Sequence, residues 1–257
     1  MLKVERQKII REELQKQGFV LVPALGKLFN CSEETIRRDL KEMENNGSLV
    51  RTHGGAYQVE NYDKGYPLEL RKSYMPKTKA NLSKLVLNEI KENDVIMIDS
   101  SSTCLSLMQE IVARQMNVTV VTNSLAIFNL CNKEKTGVNL ICVGGAFRRR
   151  TSSFADPNTV EALRNYHADK AFISCPKVTI DFGLSDNHIS EANVRKQMLR
   201  QSEKKYLLAD HTKFDASATI PFEGLEQLDC IVTDHKLPNE WLEYAKLHQI
   251  SIRYAEE

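Results

Sequence analysis

Arg37 and Arg38 stand side by side in "SEETIRRDLKEM", with Ser32, Glu34 and Thr35 before them and Lys41 after. Guanidinium groups pair bidentately with guanine, a carboxylate accepts from a cytosine amine, and Ser or Thr hydroxyls reach phosphates or base edges. Fourteen residues past Arg37 the chain reads "RTHGGAY", where Arg51 and His53 could meet a phosphate backbone or a minor groove and Gly54 and Gly55 would permit close approach. A different chemistry gathers further on. "DSSST" holds Asp99, Ser100, Ser101, Ser102 and Thr103, and "VTNS" holds Thr122, Asn123 and Ser124. Hydroxyls and free N–H groups at a helix N-terminus suit an anion such as phosphate. Gly144 and Gly145 would let backbone approach a ligand.

These residues need elements to carry them. Residues 4–17 place Ile9, Ile10 and Leu14 on one helical stripe that Gly18 ends, and Pro23 suits the first position of a helix with Leu25, Leu28 and Phe29 inward. After a turn at Asn30 and Cys31, Ser32 is the expected N-cap of a helix running to about Asn46 and closed by Gly47. Glu33 and Glu34 favour its first turn, and Ile36, Leu40 and Met43 form its core stripe. Thr35, Arg37, Arg38 and Lys41 then face outward. Residues 49–59 read as a hairpin around Gly54-Gly55, so three helices and a hairpin predict a winged helix-turn-helix over residues 1–59. Such a helix fits a major groove. The competing reading is that the arginine pair beside Asp39 and Glu42 is a solvated face.

Residues 60–75, polar and proline-bearing, read as a linker. From residue 76 to 257 the rhythm changes to apolar strands at 95–99, 118–122, 139–143, 170–174, 205–209, 230–234 and 251–255, separated by helical patterns such as "CLSLMQEIVARQ" and "ISEANVRKQMLRQSEKK". That alternation predicts a Rossmann-like, mostly parallel sheet covered on both faces, with ligands at the strands' carboxyl ends. For the hydroxyl-rich loops the plainer alternative is that they only cap helices and make turns.

Composition excludes several classes. The chain has 257 residues and a formal charge of +1, with a net +2 over residues 1–57 and −1 over the rest, so nucleic-acid binding must come from geometry rather than bulk charge. The six cysteines form no CxxC pair and read as reduced, buried small hydrophobes, and no apolar run is long enough to span a bilayer; a cytoplasmic protein without membrane partners is expected. The six histidines show no metal-ligand spacing, and there is neither a GxSxG elbow nor a GxxxxGK loop, so no metal, no cofactor and no catalytic residue is expected. Cys104, near a helix N-terminus, reads as a packing cysteine before an activated thiol. Trp241 is expected to anchor the C-terminal helix to the sheet.

"SEETIRRDLKEMENNGSLVRTHGGAY" resembles the DNA-binding signature of the DeoR family of bacterial transcriptional regulators, in its TIRRDL core and its R-x-HGGA wing. The resemblance continues through "DSSSTCLSL", "VVTNS", "VGGAF", "GLSDNHISEANVRKQM" and "ADHTKFD", in family order over nearly the whole chain. It implies a sensor domain similar to the ribose-5-phosphate isomerase fold, responsive to a phosphorylated sugar or related metabolite. On that basis Asp99, Ser100, Ser102, Thr103, Thr122, Asn123, Ser124, Glu191 and Lys213 would line the effector pocket. Ser101 replaces the family's usual glycine, Asp156 another glycine near the supposed anion site, and Arg195 the usual lysine. "SCPKV" stands where a glycine-bearing segment is usual. These departures imply an atypical sugar phosphate or an unphosphorylated ligand, since Asp156 would repel a phosphate if it pointed at one.

The expectation is therefore a regulator, a repressor in the first instance, of a carbohydrate operon, binding double-stranded operator DNA as a homodimer or homotetramer and controlled by a small-molecule effector. The alternative is an aldose–ketose isomerase-like enzyme with an appended DNA-binding domain. Against it, "AFISCPKVTIDFG" lacks the acidic catalytic stretch typical of those isomerases.

Overall fold

Ile10, Leu14, Ile36, Leu40 and Met43 are all but inaccessible to solvent, and around them the first part of the chain condenses. The computed structural model describes residues 1–45, 49–57 and 66–254, which divide into two units, Met1–Met75 and Pro76–Glu257.

The first unit contains α1 (Lys3–Gln17), β1 (Phe19–Leu21), α2 (Val22–Phe29), α3 (Glu33–Asn45), β2 (Val50–Arg51), β3 (Gly55–Tyr57) and α4 (Leu68–Ser73). Gly18, at φ 81°, ends α1 by returning its N–H to Leu14 O at 2.8 Å, a left-handed stop that glycine adopts without strain. The Arg6 guanidinium ties α1 to α3 through both oxygens of the buried Asp39, at 2.7 and 3.2 Å. Asp39 is thus a structural anchor and not part of a solvated face.

Two expectations change in this unit, and a strand that was not foreseen joins the hairpin. Leu28 is exposed, because α2 is short and only Leu25 and Phe29 reach the core. "FVLV" contributes the strand β1, which pairs antiparallel with β3 to give a three-stranded sheet ordered β1-β3-β2. Residues 68–73 of the expected linker form α4, whose Leu68 and Leu70 are buried; six residues are too few to display a helical period, and packing stabilises what propensity does not. The expected close of the recognition helix at Gly47, the hairpin's end at Val59 and the linker's first residues, 60–65, lie outside the described residues.

The second unit runs α5 (Pro76–Leu87), β4 (Val95–Ile98), α6 (Ser102–Ala113), β5 (Thr119–Thr122), α7 (Leu125–Lys133), β6 (Asn139–Cys142), β7 (Phe147–Arg148), β8 (Ser153–Phe154), α8 (Pro157–Leu163), β9 (Ala168–Ile173), β10 (Lys177–Thr179), β11 (Gly183–Asp186), α9 (Ile189–Arg200), β12 (Ser202–Leu208), β13 (Ile220–Glu223), β14 (Cys230–Thr233), α10 (Asn239–Leu247) and β15 (Ser251–Tyr254). The seven expected strands form one sheet in the order β15-β14-β12-β9-β4-β5-β6, parallel throughout. Successive residues of β4 serve opposite faces: Ile96 and Ile98 pack with α5 and α6, whereas Met97 joins the cluster that includes α8, α9 and α10. Continuous apolar strands are what a sheet buried on both sides requires.

β12 starts at Ser202, so the helical pattern expected through "QSEKK" stops at Arg200. The antiparallel sheet β10-β11-β13 and the pair β7-β8 were not foreseen; their strands have two to four residues, too short for a readable alternation. Trp241 is buried on α10, packs edge-on against Phe214 with ring centroids 5.0 Å apart, and donates Nε1–H to Asp215 at 2.8 Å.

Candidate functional site

In the first unit, Ser32 caps α3 by accepting the Thr35 N–H at 3.3 Å. With Ile36, Leu40 and Met43 inward, Glu34, Arg37, Arg38 and Lys41 are exposed and Thr35 is half-buried. Their engagement differs. Arg38 is 79% exposed, its Nε 3.5 Å from Glu34. Arg37 donates to the His53 carbonyl at 2.8 Å and to Glu33 at 3.1 Å, so it braces α3 against the β2–β3 turn. Arg51 is held by Glu44, whose carboxylate accepts both the Arg51 backbone N–H at 2.9 Å and its Nε–H at 2.6 Å. Those bonds keep the Glu44 carboxyl below its usual range. His53 is exposed at the turn, its ring 5.5 Å from that of Tyr74.

The two glycines have work inside the fold. A Cβ on Gly55 would stand 1.9 Å from the Val20 carbonyl oxygen and 2.9 Å from Leu70, and one on Gly54 would stand 2.3 Å from Ser73 Oγ. Gly55 therefore allows β1 and β3 to pair.

In the second unit the chain leaves β4 toward β5 on one side and returns to β9 on the other, so strand order reverses between β4 and β9. Ligands of open parallel sheets bind at the carboxyl ends there. Asp99 sits at that point, buried. Its Oδ1 accepts the Ser101 N–H at 3.0 Å, and its Oδ2 accepts the Ser174 N–H at 3.2 Å and Arg195 Nε–H at 2.7 Å. Arg195, on α9, also donates to Asp186 and lies 3.7 Å from Glu191. Glu191 in turn accepts from Ser100 at 3.2 Å, Ser153 at 2.8 Å and Arg148 at 3.1 Å. Burial would raise the Glu191 carboxyl, but Arg195, Arg148 and the hydroxyls of Thr151 and Ser153 outweigh it and hold it below the usual range. The carboxylates around Arg195 keep its guanidinium protonated despite burial. Asp99 and Glu191 each accept three hydrogen bonds from protein donors.

The hydroxyl-rich loops divide between two tasks. Ser101 accepts the Cys104 N–H at 3.0 Å and caps α6, and Ser124 accepts the Ile127 N–H at 3.3 Å and caps α7. Thr122 donates to Ile98 O at 2.7 Å, tying β5 to β4. The Ser101 hydroxyl thus serves the helix. Ser102 and Thr103 open α6, buried. Asn123 donates to Phe154 O at 2.8 Å while its own Oδ1, fully buried, has no hydrogen-bond partner among the described residues; the same holds for Asp210 Oδ2 and Thr233 Oγ1, just beyond β12 and at the end of β14. All three lie at the sheet's carboxyl edge.

Asp156 is not aimed at an anion pocket. It caps α8, accepting from Thr159 N at 2.8 Å and Thr159 Oγ1 at 2.7 Å, and those bonds hold its carboxyl low. Gly145, at φ 140°, is where it is because a Cβ would fall 2.3 Å from Asp156 Oδ1; Gly144 faces open space. Lys213 stands on the short 3-10 turn His211–Lys213 and, with Arg195, acts on the Cys175 thiol, which burial pushes up to about 12. Burial likewise raises the Cys104 thiol, which donates to Phe172 O, so it is a packing cysteine.

Arg148, Ser153 and Asp186 belong to the buried network and were absent from the sequence-derived set. "RRR" at 148–150 was a visible signal of charge, but only the fold brings β7, β8 and β11 to α9. His211 and His235 also meet at Asp234, a juxtaposition that sequence spacing did not suggest.

Residues 6–61 match the DeoR-like helix-turn-helix domain and residues 75–235 the DeoR C terminal sensor domain. The chain is 31% identical to the HTH-type transcriptional regulator IolR of Bacillus subtilis (strain 168), over 99% of this chain and 100% of that one. It is 31% identical to the L-fucose operon activator of Haemophilus influenzae, over 95% and 97%. Among solved structures, ribose 5-phosphate isomerase A from Methanocaldococcus jannaschii aligns at a TM-score of 0.40 and 15% identity, covering 54% of each chain. No helix among the described residues is long and apolar enough to cross a membrane. With a DeoR-like helix-turn-helix domain in its first unit and a DeoR sensor domain in its second, the chain belongs to the DeoR family of transcriptional regulators.

Proposed function

We propose that the protein represses a carbohydrate-metabolism operon by placing α3 in the major groove of operator DNA, and that a sugar or sugar phosphate at the carboxyl edge of the parallel sheet alters that binding. The observation that carries the effector reading is the edge itself: a buried network in which Asp99, Asp186 and Glu191 surround Arg195, together with buried acceptors, Asn123 Oδ1 and Asp210 Oδ2, that lack donors among the described residues. Such acceptors suit the hydroxyl groups of a sugar, since an unpaired buried acceptor costs about 1–3 kcal/mol. With Asp156 turned to α8, nothing in that residue disfavours a phosphate, and Lys213 and the N-terminus of α6 offer positive potential for one. The H. influenzae relative, by its name, serves the L-fucose operon.

Two recognition helices are needed to read a two-fold operator, so the working form is a homodimer or homotetramer. Residues 1–59 act as the reader, 60–75 as the connection and 76–257 as sensor and assembly domain. The effector works by binding the DNA-competent and DNA-incompetent states with different affinity.

The test is titration of the protein into labelled DNA from upstream of its own gene and its neighbours', at fixed salt, with and without a panel of sugars and sugar phosphates. Tight binding to one fragment, relieved by one compound, is the expected result. Tightening by the compound would make the protein an activator or co-repressed regulator, and binding no better than to random DNA would overturn the reading.

A further inference from the structure

Two histidines from distant parts of the chain converge on one carboxylate at the same edge of the sheet. His211 begins the 3-10 turn after β12, and Asp234 and His235 follow β14, the adjacent parallel strand. His211 Nδ1 lies 2.8 Å and His235 Nδ1 3.1 Å from Asp234 Oδ2, the two rings are 4.5 Å apart, and the three ligand atoms all fall within 4.8 Å of one another. The other oxygen, Asp234 Oδ1, accepts the His211 backbone N–H at 2.6 Å. One carboxylate oxygen is thereby fixed by the main chain and the other presented to both imidazoles, the kind of outer support that orients metal ligands.

We propose that His211, Asp234 and His235 bind a divalent transition-metal ion of the zinc class, with three protein ligands and an open fourth position. Nitrogen and oxygen ligands about 2.0–2.1 Å from a tetrahedral zinc stand about 3.3 Å from one another, so the observed Nδ1–Oδ2 spacings need only a slight expansion to admit it. Two imidazoles and a carboxylate suit zinc, nickel or cobalt and are a poor set for calcium or magnesium, which prefer oxygen throughout. The alternative account, an Asp234 that merely accepts two imidazole N–H bonds, explains less. His211 and His235 are largely exposed and contribute nothing to the core, and solvent-exposed contacts of this kind are worth little on their own. An ion there would clamp the turn that carries Lys213 to the end of β14.

The experiment is calorimetric titration of the reduced, full-length protein with zinc chloride, repeated with cobalt so that thiolate ligation would show as a charge-transfer band. Saturable binding of one ion per chain is expected, free of thiolate bands and weakened at least tenfold in both His235→Ala and Asp234→Asn, with operator binding by the metal-free variants unchanged. Absence of one-to-one binding, equal affinity in the variants, or a thiolate band at saturation would each overturn the proposal. None of these outcomes bears on the DNA reading, which rests on the other unit.

Discussion

Arg195 Nε–H lies 2.7 Å from Asp99 Oδ2, joining the middle of α9 to the end of β4 at the point where the strand order of the sheet reverses. Both side chains are at most 5% exposed, and Asp186 and Glu191 crowd the same guanidinium. Removing one partner from such a buried set leaves charge without compensation, which costs more than the pairs contribute net.

Arg195→Met should accordingly destabilise the second unit by about 3–5 kcal/mol. Arg195→Lys should recover part of that loss, because an ammonium keeps the charge but cannot present two donors in a fixed fork. Trp241, the chain's single tryptophan, lies in this unit and reports its urea unfolding by fluorescence. Equal stability in all three proteins would show that the network contributes nothing.

The depressed Glu191 carboxyl sets a pH dependence. A group whose folded value lies below its unfolded one contributes stability above the unfolded value and loses it as pH falls through the folded one. Stability should therefore decline as pH drops below the ordinary glutamate value of 4.5, and Glu191→Gln should flatten that part of the curve. Unfolding midpoints at a series of pH values from neutral downward check this.

On α3, the exposed Arg38 and the tethered Arg37 should behave differently. Arg38→Ala should weaken operator binding by about 1–3 kcal/mol and relax one base position while leaving random-DNA binding nearly unchanged. Arg37→Ala removes the brace to His53 O and should weaken operator and random DNA together. Competition titrations against single-base operator variants separate the two.

Arg51→Ala should reduce affinity for all sequences alike and lower the slope of log K against log salt by about one. Glu44→Gln, which weakens the hold on the Arg51 guanidinium, should act in the opposite direction. Binding isotherms at several salt concentrations give both slopes.

Gly55→Ala should unfold the first unit selectively. A methyl group 1.9 Å from Val20 O forces β1 and β3 apart, and overpacking of this kind costs about 1–3 kcal/mol or more. DNA binding should disappear while the Trp241 unfolding transition stays where it was. Retention of full DNA affinity would mean that β1 can move aside without consequence.

Sequence alone determined the two-part organisation and the parallel sheet, because both follow from local periodicity. The stripe of Ile36, Leu40 and Met43 can only bury one face of a helix, and that single requirement turns Arg37, Arg38 and Lys41 outward. The apolar runs of the second unit require a sheet covered on both faces, as its central strands are, while the edge strands β6 and β15 are only partly buried. Asp99 and Ser100 were identifiable as polar groups at a strand end, and Glu191 and Arg195 through the family resemblance; the structure brings all four into one buried network. What tertiary structure alone decided were the partners. A hydroxyl at a helix start looks the same in sequence whether it caps the helix, as Ser101 and Ser124 do, or reaches across to another element, as Ser100 does to Glu191. Asp156 looked like a misplaced charge and is a cap; Gly55 looked like a tip and is a strand crossing. Arg148, Ser153 and Asp186, and the pair His211 and His235, come together through contacts between segments far apart in the chain. Local pattern constrains which face a side chain takes, whereas its partner depends on long-range packing, and no spacing along the sequence encodes that distance.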